Sequence, residues 1–247
     1  MIAAPDLTEV KLTREAAVAR LTFARPTSLN ALSPDLISQA LAATESVAAS
    51  DARVLVLAGE GRSFSAGVDL KSTAQNPDFR GEAVRRFSDE ARRLAVLFET
   101  MPQVVIARVA GHCFTGGLEL ALACDLIVAA EDAVFCDTHA KLGMRPGWGL
   151  SQRLPRRIGQ MRAREMSFTA RRVGAAEALA LGLVLEVAPL VELDARIEAL
   201  ATAIIANDAA AIAAYKTLYR ACETHTLDDG LAFEATTRFP RKIPSQT

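Results

Sequence analysis

The chain has 247 residues, 51 % hydrophobic and 23 % charged, enough to bury a substantial core in one domain of ordinary size or one with a small appendage. A formal net charge of −1 provides no global basic field for nucleic acid or an anionic membrane, so an anionic ligand has to be held by local groups. No apolar run approaches the ~20 residues of a membrane span.

Val10–Leu12 and Val18–Phe23 read as a hairpin joined by the polar turn Thr13-Arg14-Glu15. A loop, ARPTSLNAL, leads to a helix in which Ser33 is the N-cap, Pro34 the first helical residue, and Leu36, Ile37, Ala40, Leu41 and Val47 the apolar face. RVLVLAG (Arg53–Gly59) is a continuous apolar run closed by glycine, as expected of a strand buried on both faces. Apolar residues at steps of three and four from Val84 predict a helix over Glu82–Met101, stopped by Pro102. The segments VVIARV, DLIVAA and AVFC read as strands. Helices follow over Met161–Phe168, Ala175–Leu181, Glu192–Ile205 and Ala209–Cys222, with a short strand at Leu183–Val187. Alternating strands and helices that give way to helices make the class α/β.

Cys113, Cys124, Cys136 and Cys222 have no CxxC spacing and no metal-like pairing with His112, His139 or His225. With no basic-then-apolar start in MIAAPDLTEV, reduced thiols in a cytoplasm are expected, and no metal.

Two glycine-containing turns each follow a strand and open a helix: GRSFSAGVDLK (Gly61–Lys71) and GHCFTGGLEL (Gly111–Leu120). Helix N-termini expose N–H groups, and glycine lets a ligand approach the backbone closely. Brought together, two such turns would form an oxyanion hole; each alone is also what an ordinary strand-to-helix connection looks like. Neither is a nucleotide-binding motif. Glu119 lies three residues after Gly116, nearly on the same helical face at ~100° per residue, and amid residues made for burial. It fits either a carboxylate acting on a group held by the Gly116 N–H or an ion-paired residue at a core or subunit boundary.

The motifs RPTSLNAL, FSAGVDL, IARVAGHCFTGGLELALACDLIVAAEDAVF and LGMRPGWGLSQRLPRRIG, with ARRVGAAEALALGLVLEV downstream, resemble the enoyl-CoA hydratase/isomerase (crotonase) superfamily, in family order from about Val10 to about Phe233. The resemblance implies a spiral of ββα units over residues 1–190 and a helical region over 191–247 that mediates assembly into homotrimers or homohexamers. It implies an acyl-CoA thioester as ligand, with no cofactor apart from the coenzyme A of the substrate. Its carbonyl oxygen would be held by the Val68 and Gly116 N–H groups. Arg25, Ala66, Gly67, Asp69, Lys71 and Gly117 match positions around the coenzyme A and the thioester. Trp148 stands where small residues are common, either narrowing the acyl pocket or serving as core.

Glu119 matches the first catalytic glutamate of the hydratases. His139 stands where the second would be, and Asp137, two residues earlier, does not match. Imidazole titrates near neutrality, so a Glu119–His139 pair can still deliver water to C3 and a proton to C2 of an enoyl thioester. The exchange also fits an isomerase, a thioester or C–C hydrolase, or a non-catalytic acyl-CoA binder. Burial should raise the Glu119 pKa. The ending EATTRFPRKIPSQT departs from the family pattern and suggests a shortened or replaced closing helix over the acyl pocket.

Overall fold

The computed structural model describes residues 7–239; the last eight residues of the divergent ending lie outside that range. The N-terminal hairpin comprises β1 (Val10–Glu15) and β2 (Val18–Phe23) in antiparallel register, Val10 opposite Phe23 and Glu15 opposite Val18. Residues 13–15 are therefore strand, and the turn is Ala16-Ala17, with Ala16 at a positive φ of 48°. Its brevity is what a two-residue hairpin turn needs. Helix α1 (Pro34–Ala48) starts as expected: the Ser33 hydroxyl accepts the Leu36 N–H.

The rest of the core repeats one unit. Strand β3 (Val54–Gly59) is followed by β4 (Ser63–Ser65), then by helices α2 (Leu70–Gln75) and α3 (Glu82–Thr100). Strand β5 (Val104–Val109) leads to β6 (His112–Phe114) and α4 (Gly116–Ala123). Strand β7 (Leu126–Ala130) leads to β8 (Val134–Cys136). The first strand of each pair joins one sheet, of order β1-β2-β3-β5-β7-β10, and the second joins another, β4-β6-β8-β9. Here β9 is Val173–Gly174 and β10 is Glu186–Ala188. Pairings β2–β3, β3–β5, β5–β7 and β7–β10 are parallel, as are β4–β6 and β6–β8. This is the spiral of ββα units expected from the resemblance. The three-residue strands of the second sheet, β4 and β6, escape sequence reading because they show too few alternations to register.

Helices α5 (Leu150–Ile158), α6 (Gln160–Thr169), α7 (Ala175–Ala180), α8 (Leu193–Ile205), α9 (Ala209–Cys222) and α10 (Leu227–Thr236) complete the chain. Among the described residues, no single helix is long and apolar enough to cross a membrane.

The larger sheet is buried on both faces, and the period of two sorts its side chains. Leu55, Leu57, Val105, Ala107, Ile127 and Ala129 face the main core with α1, α3 and α4. Val54, Val56, Val104, Ile106, Val128 and Ala130 face a second cluster completed by Leu193, Ile197 and Ala201 of α8. Arg108 clamps α8 with two hydrogen bonds to Asp194, each 2.8 Å. Helix α9 is pinned by Lys216, which donates to Asp125 and to the carbonyls of Phe98 and Gln103 at 2.7–3.0 Å.

Candidate active site

Two strand-to-helix turns meet in the core. A Cβ on Gly67 would stand 3.1 Å from the Phe114 carbonyl oxygen and 3.2 Å from Thr115 Cβ, and one on Gly117 would stand 2.7 Å from Ser65 Cβ. Glycine is required at 67 for a second reason, its φ of +91°. The donors of the first turn are otherwise committed: Ala66 N–H to Leu29 O, Gly67 N–H to Ser65 Oγ, and Asp69 N–H to Leu32 O. Val68 N–H has no acceptor among the described residues.

On the second turn Thr115 is the N-cap, at φ 49° and ψ −111°, a strained conformation for a β-branched residue. It is held by its N–H to Cys136 O and by a hydroxyl–hydroxyl bond with Thr138. Gly116 follows as the first helical residue, where an N–H lacks an intrahelical acceptor. A Cβ there would strike Trp148 Cζ3 at 2.6 Å, so the indole lies directly against the Gly116 backbone. Trp148 is buried and packs edge-on against Phe87, ring centroids 5.4 Å apart.

Glu119 is 2 % exposed. Its Oε1 accepts two backbone N–H groups, from Trp148 at 2.8 Å and Leu150 at 3.1 Å. Its Oε2 faces His139 Nε2 at 3.7 Å. Burial raises the Glu119 pKa above 4.5 although those two hydrogen bonds and His139 pull it down. The separation of 3.7 Å is too long for a direct hydrogen bond, yet one water could bond to both atoms.

His139, also buried, has Asp137 on its other side: Nδ1 lies 2.7 Å from Asp137 Oδ1, and the His139 backbone N–H donates to the same oxygen at 3.1 Å. Burial pushes Asp137 upward, but hydrogen bonds from His139 and from the Ser167 hydroxyl outweigh it, leaving the carboxyl below its ordinary value. A cavity of about 350 Å³ opens beside this pair, lined by Pro146, Leu150, Ser151, Arg164, Ser167 and others. A larger cavity, about 680 Å³, lies away from these groups among Asp125, Arg157, Tyr215, Lys216 and Tyr219.

Sequence reading named Asp137 only as a position that does not match the second glutamate, and did not single out Thr115. For Asp137 the available signal was an aspartate two residues before a histidine in a turn, a spacing from which its carboxylate can accept the later N–H. Arg25 is not free to reach outward: it pairs with Glu9 at 3.1 Å and Asp69 at 2.9 Å, and donates to Ala31 O. Asp69 is spent on Arg25 and on capping α2 through Ser72 N–H. Arg25 and Asp69 thus brace the SAGVD turn from behind. Lys71 is exposed on α2.

The model of the enoyl-CoA hydratase/isomerase family matches residues 13–241. A putative enoyl-CoA hydratase/isomerase of Bacillus subtilis, YngF, is 39 % identical over 220 residues, covering 88 % of this chain and 83 % of its own. The structure of an enoyl-CoA hydratase from Bacillus anthracis superposes with a TM-score of 0.87 at 33 % identity, covering 92 % of this chain and 88 % of that one. A putative enoyl-CoA hydratase from Thermobifida fusca, solved in complex with acetoacetyl-CoA, gives 0.85 at 31 % identity, covering 92 % of each chain. With the spiral of ββα units, the paired turns and the buried glutamate in place, this chain belongs to the enoyl-CoA hydratase/isomerase (crotonase) family.

Proposed function

We propose that the protein is an enoyl-CoA hydratase that adds water across the 2,3 double bond of an enoyl-CoA thioester. The observation that carries this reading is the pairing of two buried proton-handling groups 3.7 Å apart: Glu119 Oε2, on the helix that begins with the Gly116 N–H, and His139 Nε2, from the segment after β8. Hydration needs one group to take a proton from water and another to deliver one to carbon, and this pair offers both.

The thioester carbonyl accepts hydrogen bonds from Val68 and Gly116 N–H, each worth about 3 kcal/mol when the oxygen becomes an enolate. Glu119, ionised, takes a proton from water as the oxygen bonds to C3. The π electrons move to the thioester oxygen. His139, protonated, then gives its Nε2 proton to C2 as the carbonyl re-forms. Glu119 ends protonated and His139 neutral, and transfer of one proton between them restores the starting state. The substrate gains one H and one OH. Trp148 walls the pocket beside Gly116, and Ala66 O, Gly117 and Lys71 contact the coenzyme A side, with Arg25 and Asp69 shaping the turn that does so. The complex with acetoacetyl-CoA among the similar structures supports an acyl-CoA ligand. Exposed Tyr215, Tyr219 and Leu227 on α9 and α10 support assembly of the region 191–247 into a homotrimer or homohexamer.

The test is Glu119→Gln assayed with crotonyl-CoA by loss of the conjugated enoyl absorbance. Gln retains an acceptor for the Trp148 and Leu150 N–H groups, so thioester binding should survive while turnover falls by about 10³-fold or more. Undiminished turnover sinks the reading. Isomerised or hydrolysed products from a panel of enoyl- and β-ketoacyl-CoAs would replace hydration with another chemistry, and tight binding without any product would make the protein a binder.

A further inference from the structure

Asp137 has two separable consequences for the structure. As a turn residue it accepts the His139 backbone N–H at 3.1 Å. As a charge it sits 2.7 Å from His139 Nδ1. The first needs only a carbonyl-type oxygen, which asparagine also supplies. The second needs an anion.

An ionised carboxylate accepts hydrogen bonds and donates none, so the proton in the 2.7 Å contact belongs to Nδ1. That leaves Nε2, the nitrogen facing Glu119, as the one that gains and loses a proton. The same segment is anchored to the oxyanion side of the site: Cys136 O accepts the Thr115 N–H, and the Thr138 hydroxyl bonds to the Thr115 hydroxyl. A shift of the Asp137–His139 unit would therefore also disturb the turn that presents Gly116. Charged and titratable groups reach this unit from several elements. Glu119 comes from α4, Arg164 from α6, and Lys141 and Arg145 from the segment between β8 and α5; of these only Glu119 is buried.

We propose that Asp137 is the positioning residue of the acid–base pair: through His139 Nδ1–H it fixes which ring nitrogen faces Glu119 and stabilises the imidazolium that protonates C2. This inference rests on the hydration reading above. In the step it serves, the Nε2–H bond breaks and a C2–H bond forms with the enolate electron pair. Imidazolium becomes imidazole, while Asp137 stays ionised and the Nδ1–H bond stays intact, as behind other catalytic histidines. Asp137 acts on the reaction only through His139.

The decisive variant is Asp137→Asn, which keeps the turn cap and removes the charge. At neutral pH, kcat should fall roughly 10- to 100-fold and KM change by less than about threefold, because only the proton-transfer step is altered. The basic limb of the kcat/KM profile should move to lower pH, since the imidazolium loses its counter-ion. In a His139→Gln background the same substitution should cost less than about twofold, because a residue that acts through another has no effect once that residue is gone. Unmoved limbs, or a full and additive loss in the double variant, would reduce Asp137 to a turn cap and overturn the proposal. Ser167→Ala, which removes a hydroxyl beside Asp137 without touching His139, carries the same test with a smaller shift if Asp137→Asn does not fold.

A second readout keeps the inference separate from the reaction. Imidazole 15N shifts should report the Nδ1–H tautomer for neutral His139 in the native protein and loss of that preference in Asp137→Asn. A native Nε2–H tautomer overturns the positioning role even if hydratase activity is found. The expected tautomer in a protein that does not hydrate crotonyl-CoA would overturn only the reaction.

Discussion

The two halves of the site are built from different materials. On one side, SAGVD and FTGGLE offer backbone N–H groups, held by strand ends, a strained Thr115 and glycines whose missing Cβ atoms leave room for the opposite turn. On the other side, Glu119, His139 and Asp137 offer side chains whose behaviour depends on burial and on one another. Backbone donors are the same whatever residue occupies the position, so the first half can bind a thioester oxygen for many reactions. Side chains select the reaction. On the proposed reading, turns of this kind can be kept while the side chains that face them change with the reaction.

The largest expected effect breaks the backbone half. Gly116→Ala puts a Cβ 2.6 Å from the Trp148 ring, which has to shift and so strains the segment whose backbone N–H groups hold Glu119. Steady-state kinetics with crotonyl-CoA should show kcat/KM falling by about 10²–10³-fold, and thermal unfolding a loss of about 1–3 kcal/mol from overpacking. Trp148→Phe in the same chain should return part of the stability; no return would mean that the clash is not the cause. Breaking the side-chain half by His139→Gln should lower kcat by about 10²-fold while leaving coenzyme A thioester affinity within about threefold. A weakened affinity instead would make His139 a binding residue.

The two buried carboxyls sharpen the comparison through opposite pH dependence. The Glu119 pKa is raised above 4.5, so its favourable contribution is full below about 4.5 and is lost as pH rises through the raised value. Glu119→Gln should therefore melt at a higher temperature relative to the native protein as pH increases. The Asp137 pKa is lowered below 3.8, so its contribution is present above that value and is lost as pH falls through the lowered one. Asp137→Asn should be less stable than the native protein at neutral pH, with the gap closing in acid. Melting curves across pH that show the same trend for both variants would contradict these opposite environments. The smallest effect belongs to Lys71→Ala, an exposed residue, for which KM should rise by only about two- to fivefold and more weakly at high salt.

Much of this was legible in the chain itself. Val54–Gly59 as a strand buried on both faces follows from an unbroken apolar run, and the structure splits it into Val54 and Val56 on one face and Leu55 and Leu57 on the other. Ser33-Pro34 marked the start of α1, and the glycine spacing marked both turns. Arg25 was legible as a residue of the site but not in its orientation, because nothing local reveals that Glu9 and Asp69 claim its guanidinium. The three-residue strands Ser63–Ser65 and His112–Phe114 were not legible either, since they form only through partners far along the chain.

The sequence by itself determined the order of the longer strands and helices, the two turns with their glycines, and the placing of one carboxylate among apolar residues. Those are local facts, fixed by periodicity, chain stiffness and the steric freedom of glycine. Only the tertiary structure decided that Gly67 abuts Thr115, that Trp148 lies over Gly116, and that Glu119, His139 and Asp137 form one line of contacts. Apart from the Asp137–His139 contact, which is local to one turn, those facts depend on packing between segments twenty to fifty residues apart in the chain, where no local preference operates. The buried Glu119 that is costly in isolation becomes tenable there, because two backbone N–H groups and a neighbouring imidazole replace the water it has lost.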